Sequence, residues 1–186
     1  MNYRLPVGLA IALGTMSMAS ANTVYNVNLS IGATGNATGT ITTDGTIGTL
    51  GLSNILDWHL SVSDGFHTTD TLLGPLSGNN SFDSFNKSDQ AATATTLTFN
   101  FSSSDGGYFF FENAGGFLCF GPAGACGGAS GDVEGISVQG NLQNTVLTGT
   151  QVIATTQSGV PEPSTIALIF SGAVIVLLRR SKIRLG

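Results

Sequence analysis

"TVYNVNLSI", Thr23–Ile31, decides the fold. Tyr25, Val27, Leu29 and Ile31 stand two apart, with Asn26, Asn28 and Ser30 between them. A period of two puts each set on its own face of an extended chain, so the stretch predicts a half-buried strand. The same signature recurs downstream. "TATTLTFNFS" (93–102) places Leu97, Phe99 and Phe101 on one face, and in "NILDWHLSVSDG" (54–65) Ile55, Trp58 or Asp57, Leu60 and Val62 compete for the inner side. "YFFFE" (108–112) and "GFLCF" (116–120) predict a hairpin, and three consecutive phenylalanines on a strand must turn at least one ring outward. "HTTDTLLG" (67–74) and "SFDSFN" (81–86) are weaker strands, while "VEGISVQG" (133–140) and "NTVLTGTQVIATT" (144–156) close the series. Asp44-Gly45 predicts a hairpin turn between two threonine-rich strands; Asp64-Gly65 and Asp105-Gly106-Gly107 predict further turns. About nine or ten short strands with such turns, and no convincing helix between the chain ends, predict an all-β ectodomain: a β-sandwich, in jelly-roll form.

The ends are of another kind. "MNYRLPVGLAIALGTMSMASA" (1–21) has one early cation, Arg4, an apolar run and the small-residue triplet Ala19-Ser20-Ala21. That order predicts a secretory signal peptide, handed to the Sec export machinery and cut by signal peptidase after Ala21. At the other end, "SGVPEPSTIALIFSGAVIVLLRRSKIRLG" (158–186) runs from two prolines into an uncharged stretch, 166–178, and finishes with Arg179, Arg180, Lys182 and Arg184. Thirteen helical residues reach only about 20 Å, short of a bilayer core of about 30 Å. The basic flank nonetheless argues for a membrane-inserted transmembrane helix, because four cations are costly to bury in a core and well placed among headgroups. The positive-inside rule leaves the segment between the two ends on the outer side of the inner membrane. The chain therefore divides into a signal peptide (1–21), an ectodomain (22–157) and a terminal segment (158–186).

That terminal segment resembles the PEP-CTERM sorting signal of Gram-negative bacteria: the motif Val160-Pro161-Glu162-Pro163, the apolar run and the basic end follow one another in order. The resemblance implies recognition by the membrane protease exosortase and a place on the cell surface or in an extracellular matrix, often alongside exopolysaccharide and biofilm. "GTITTDGTIGTLGLSNILDWHLSVSDG" (39–65), with "LTFNF", "GYFFFEN" and "GFLCF" further on, is also similar to the ectodomain of a recurrent PEP-CTERM subgroup, which implies no activity.

The ectodomain carries ten acids (Asp44, Asp57, Asp64, Asp70, Asp83, Asp89, Asp105, Glu112, Asp132, Glu134) against one base, Lys87, a net charge of −9, although the whole chain carries −5. With no basic stripe to meet phosphates, nucleic acid is excluded as a partner. Ten of the eleven phenylalanines lie in this segment, which favours a packed core over disorder. Cys119 and Cys126 are the two cysteines; in an oxidising compartment a local disulfide is the simplest reading, since a metal site would need further ligands and no histidine follows His67.

Chemistry is sparse. Asp57, His59, Asp64, His67 and Asp70 form the one dense group of functional side chains, but their spacing matches no metal signature and reads as easily as a strand face and a turn. There is no nucleophile motif, so no catalytic residue, metal or cofactor is expected and the protein reads as a non-enzyme. Trp58 and Tyr108 are the candidate ligand contacts, because flat rings with nearby amides and carboxylates suit sugars. The expectation is a structural or adhesive envelope protein, with a carbohydrate-binding module as the alternative and a secreted hydrolase a distant third. The polypeptide recovered from its host is expected to begin at Asn22 and end near Pro161–Pro163. Intact-mass measurement checks this, and a mass running to Gly186 would make the tail a standing anchor.

Overall fold

The computed structural model describes residues 21–156 except 87, 88, 103 and 105. Its elements, in chain order, begin with β1 (Thr23–Ile31), β2 (Gly35–Thr43), β3 (Gly48–Thr49) and, after one 3-10 turn, β4 (Ile55–Ser63). There follow β5 (Asp70–Leu73), β6 (Phe82–Asn86), β7 (Gln90–Ala92), β8 (Thr96–Asn100), β9 (Tyr108–Glu112) and β10 (Gly116–Pro122). A single-turn helix α1 (Ala123–Cys126) precedes β11 (Asp132–Val138), β12 (Asn141–Leu147) and β13 (Thr150–Thr156). The expected all-β character is observed over the described residues, with more and shorter strands than the sequence predicts.

Two antiparallel sheets are present, in the orders β3-β7-β8-β13-β1-β2-β4-β5 and β12-β11-β10-β9-β6. Their inner faces share one hydrophobic cluster, so they pack as a sandwich. Trp58 of the first sheet lies 5.2 Å, centroid to centroid, from Phe111 of the second. Phe120 meets Phe99 at 6.1 Å and Phe101 at 6.4 Å across the interface, and Phe109 at 5.9 Å beside it. Leu97, Phe99 and Phe101 are all buried on one face, and so are Tyr25, Val27 and Ile31, as their alternation predicts.

Several expectations are corrected. The jelly-roll form is not found: β1-β2-β4-β5 and β9 to β12 are meanders of sheet neighbours, whereas a jelly roll alternates between sheets. Asp44-Gly45 is not a hairpin turn. β2 pairs with β4, and β3 pairs with β7 instead. The Asp44 carboxylate accepts the Thr46 amide at 2.9 Å and the Asn54 side chain at 2.9 Å, pinning a connecting loop. "NTVLTGTQVIATT" is two strands in different sheets: at Thr148-Gly149 the chain crosses over, tied by Phe101 N–H to Gly149 C=O at 2.8 Å and Gly149 N–H to the Ser102 hydroxyl at 2.7 Å. The contest within β4 is settled by a register shift opposite Thr42/Thr43, which skips Leu56 and lets both Ile55 and Trp58 face inward.

Among the described residues no helix is long and apolar enough to cross a membrane. The stretches expected to be membrane-directed, 1–21 and 158–186, lie outside them except for Ala21. Trp58 is a core residue, so Trp58→Ala is expected to cost about 3–5 kcal/mol, read as a lowered urea midpoint with an unchanged slope.

Candidate functional site

Alternation that buries Phe109 and Phe111 turns Tyr108, Phe110 and Glu112 to the outer face of the second sheet. The antiparallel register sets Asn86 beside Tyr108, Ser84 beside Phe110, and both Phe82 and Phe117 beside Glu112. Together with Ala125, five of these residues (Phe82, Ser84, Tyr108, Phe110 and Glu112) line an open groove of about 350 Å³. Its character is mixed: rings supply flat apolar area, while Ser84 and Glu112 supply hydrogen-bonding groups. Phe82 is 55% exposed.

The groove has its own foundation. Cys119 on β10 and Cys126 on α1 are joined in a disulfide, with Cα atoms 5.5 Å apart. With Ala123 and Val133 they form a small apolar cluster, separate from the main core, onto which Phe110 and Phe117 pack. Phe110 and Phe117 stand 5.1 Å apart, ring to ring. The disulfide thus fixes α1 against the sheet and, with it, the Ala125 wall of the groove. Gly121 stands beside Tyr108 at φ +148°, where an added Cβ would approach the Tyr108 Cβ to 2.7 Å, so this position accommodates only glycine.

The structure separates the residues that the sequence singled out. Tyr108 lines the groove. Trp58 does not: it is buried, and its indole N–H donates to the Ser81 hydroxyl at 2.8 Å. Asp57 accepts the Leu76 amide at 3.0 Å, the Ser77 amide at 3.2 Å and the Ser77 hydroxyl, which makes it the cap of a surface turn. His59 is exposed on the outer face of the first sheet. Asp64 is fully buried at one end of the sandwich. It accepts the amides of Phe66 and His67 at 2.9 and 2.8 Å, the His67 imidazole at 2.6 Å and the Asn141 amide at 2.7 Å. Burial pushes its carboxyl up, but these donors outweigh that and hold it well below the usual carboxylate range. Asp70 opens β5, beside a small pocket of about 140 Å³ that also takes in Thr68, Thr69, Gly115 and Gln139. Among the described residues no three histidines, cysteines or carboxylates gather to hold a metal. Ala21 is exposed at the start of the described chain; Ala19, Val160, Pro161, Glu162, Pro163, Arg179, Arg180, Lys182 and Arg184 lie outside it.

Sequence reasoning missed Phe82, Ser84, Phe110 and Glu112 as companions of Tyr108. The outward ring among the three phenylalanines was the available signal; which strand would lie beside it was not.

No protein-family model matches the chain, and no curated protein or solved structure is significantly similar to it.

One titratable group stands out. Glu134 on β11 pairs with Phe120, turns towards the core and is 6% exposed. Burial pushes its carboxyl up to about 7 from an ordinary 4.5. The folded state therefore holds this proton more tightly than the unfolded chain. The associated stability is complete below about pH 4.5, declines as pH rises and is gone above about pH 7. The loss amounts to about 3 kcal/mol at most. Glu134→Gln is expected to flatten that decline and to raise stability at about pH 8 relative to the parent, checked by urea midpoints at mildly acidic and mildly alkaline pH.

Proposed function

We propose that this chain is an exported, non-enzymatic adhesive module that holds saccharide polymer in the envelope or extracellular matrix, and that the groove on its second sheet is the contact surface. The observation that carries the reading is the grouping of Phe82, Tyr108 and Phe110 on one outward sheet face, beside Ser84 and Glu112. Sugar rings offer C–H faces that lie on aromatic rings, and their hydroxyls meet hydroxyl and carboxylate partners at the rim. An open groove suits a chain that continues past the site at both ends. A sheet face stiffened by a disulfide lowers the ordering cost of binding.

Delivery to that setting belongs to the termini. Signal peptidase would act after Ala21 on a Sec-exported chain. The PEP-CTERM-like tail would place the ectodomain outside the inner membrane, with Pro161, Glu162 and Pro163 read by exosortase and Arg179, Arg180, Lys182 and Arg184 setting orientation. Release to the cell surface or matrix would follow, beside the exopolysaccharide of a biofilm. The disulfide supports an oxidising compartment, and the ectodomain net charge of −9 supports solubility there.

The test is retention of the full chain on insoluble polysaccharide recovered from the host matrix. Tyr108→Ala and Phe110→Ala are each expected to lower retention about tenfold, equivalent to losing one stacked ring, while circular dichroism stays unchanged. Retention that survives both substitutions would remove the groove from the proposal. Absence of retention by the parent protein would remove the saccharide.

A further inference from the structure

An open sheet ends in edge strands, whose unpaired N–H and C=O groups invite another strand to join. Among the described residues the two open sheets have four edges, and three of them are defended. β3 has only two residues. β5 is covered by its own downstream loop. The Asn80 side chain accepts the Leu73 amide at 2.7 Å and donates to Thr71 C=O at 2.9 Å, while the Asn80 and Ser81 amides reach Leu73 C=O at 3.1 and 3.2 Å. β6 carries Asp83, whose partner in register is the buried Phe111, so a charge points inward from that edge.

β12 is the fourth, and neither shortness nor an inward charge guards it. Asn141–Leu147, "NLQNTVL", contains no charge, proline or glycine. It pairs with β11 over all seven residues without a register shift. Among the described residues no backbone hydrogen bond reaches β12 from any other element. Its contacts to other elements are few: the Gly32 N–H of the β1–β2 turn donates to the Thr145 hydroxyl at 2.8 Å, Gly32 and Gly35 lie close to Gln143 and Gly32 to the Asn144 nitrogen, and the Asn141 side chain donates to Asp64 at 2.7 Å.

The turn that starts β12 shows which backbone groups are free. Gln139 at φ +51° and Gly140 at φ +83° link Val138 to Asn141 as a two-residue hairpin with both central residues left-handed. In such a hairpin the flanking pair exchanges both hydrogen bonds, and every second residue after it repeats this. Asn141, Gln143, Thr145 and Leu147 therefore bond to β11, and Leu142, Asn144 and Val146 present N–H and C=O at the open edge.

We infer that this edge is a self-association site at which β12 of a second copy pairs antiparallel with β12 of the first, about a twofold axis through Asn144. Under that axis Leu142 meets Val146, which is 60% exposed in the single chain, and Gln143 meets Thr145. On the outer face Asn144 also meets its own copy, and on the inner face Asn141 stands opposite Leu147, the one pair of unlike character. A second copy is favoured over an unrelated peptide because the strand is self-complementary under the axis. No like charges oppose each other along the seam, although the ectodomain as a whole is strongly acidic. Antiparallel pairing of like strands is also closed, so it stops at two. The second sheets merge into one, and β12 and β6 are opposite edges of that sheet. The two grooves, which lie at β6 and β9, therefore end up at the far sides of the dimer, where both are open to polymer.

The test is the mass of the full chain in mild detergent by sedimentation equilibrium, together with hydrogen exchange of the segment 141–147. The parent protein is expected to be a dimer in which that segment exchanges more slowly as concentration rises. Val146→Lys adds the kind of charge that guards natural edges, and Asn144→Pro removes an edge N–H without touching the pairing to β11. Each is expected to weaken dimerisation at least about tenfold, with the circular dichroism of the parent. If the proline variant fails to fold, Val146→Lys decides alone. A parent protein that stays monomeric at every concentration, or a dimer that persists in Val146→Lys, overturns the inference. Tyr108→Ala is expected to leave the dimer intact, which separates this result from failure of the groove as a saccharide site.

Discussion

Phe120 is the side chain on which the rest of the structure depends. It points inward from β10 between Phe99 of the opposite sheet, Phe101 just past the end of β8 and Phe109 of its own sheet. Neither sheet has an apolar face that water would tolerate, and this contact is where the two faces remove each other from solvent. The rings approach tilted or edge-on rather than stacked flush, which their quadrupoles favour. Trp58 on Phe111 repeats the arrangement further along the core. With the sheets fastened at these points, each strand has one face committed inward, and the residues on the other face are free to specialise.

The second sheet makes use of that freedom through a smaller apolar cluster on its outer surface. Phe110 and Phe117 would be awkward outward phenylalanines on an ordinary solvated face. Here they rest on Cys119, Cys126, Ala123 and Val133. A short disulfide loop thereby does what a third layer does in larger proteins. It covers part of an exposed sheet face and leaves a groove at the margin of the cover. Tyr108, Phe82 and Glu112 occupy that margin, so the local covalent constraint and the candidate site belong to one arrangement.

Buried polar groups divide along the same lines. Asp64 lies at the end of the sandwich, where turns bring several donors together, and it stays ionised because each desolvated oxygen has partners. Glu134 faces the core from the middle of β11, where its neighbours in register are Phe120 and Thr145, and burial dominates there. Two carboxylates of similar exposure thus take opposite protonation preferences. The difference is the number of N–H groups within reach, which is set by turns rather than by strand interiors.

The sequence by itself determined the strands whose alternation is regular. Thr23–Ile31 and Thr96–Asn100 bury the faces that their spacing predicts, and "YFFFE" with "GFLCF" pair as read, because side-chain direction in a strand depends only on the residue's own position. The proximity of Cys119 and Cys126 was legible for the same reason: a short loop holds them together in any fold. Tertiary structure decided what alternation cannot express. Ile55 and Trp58 both face inward only because the ladder opposite Thr42/Thr43 skips a residue, and the continuous-looking stretch 144–156 splits between two sheets at Thr148-Gly149. It buried Trp58, which stands between Asp57 and His59 along the chain, and left Tyr108, which runs into three phenylalanines, in a groove. The partners that cover one and border the other, Phe111 for Trp58 and Phe82 for Tyr108, come from strands distant in sequence. Pairing between such strands is fixed by the joint burial of both sheets' faces, and only the assembled core expresses that.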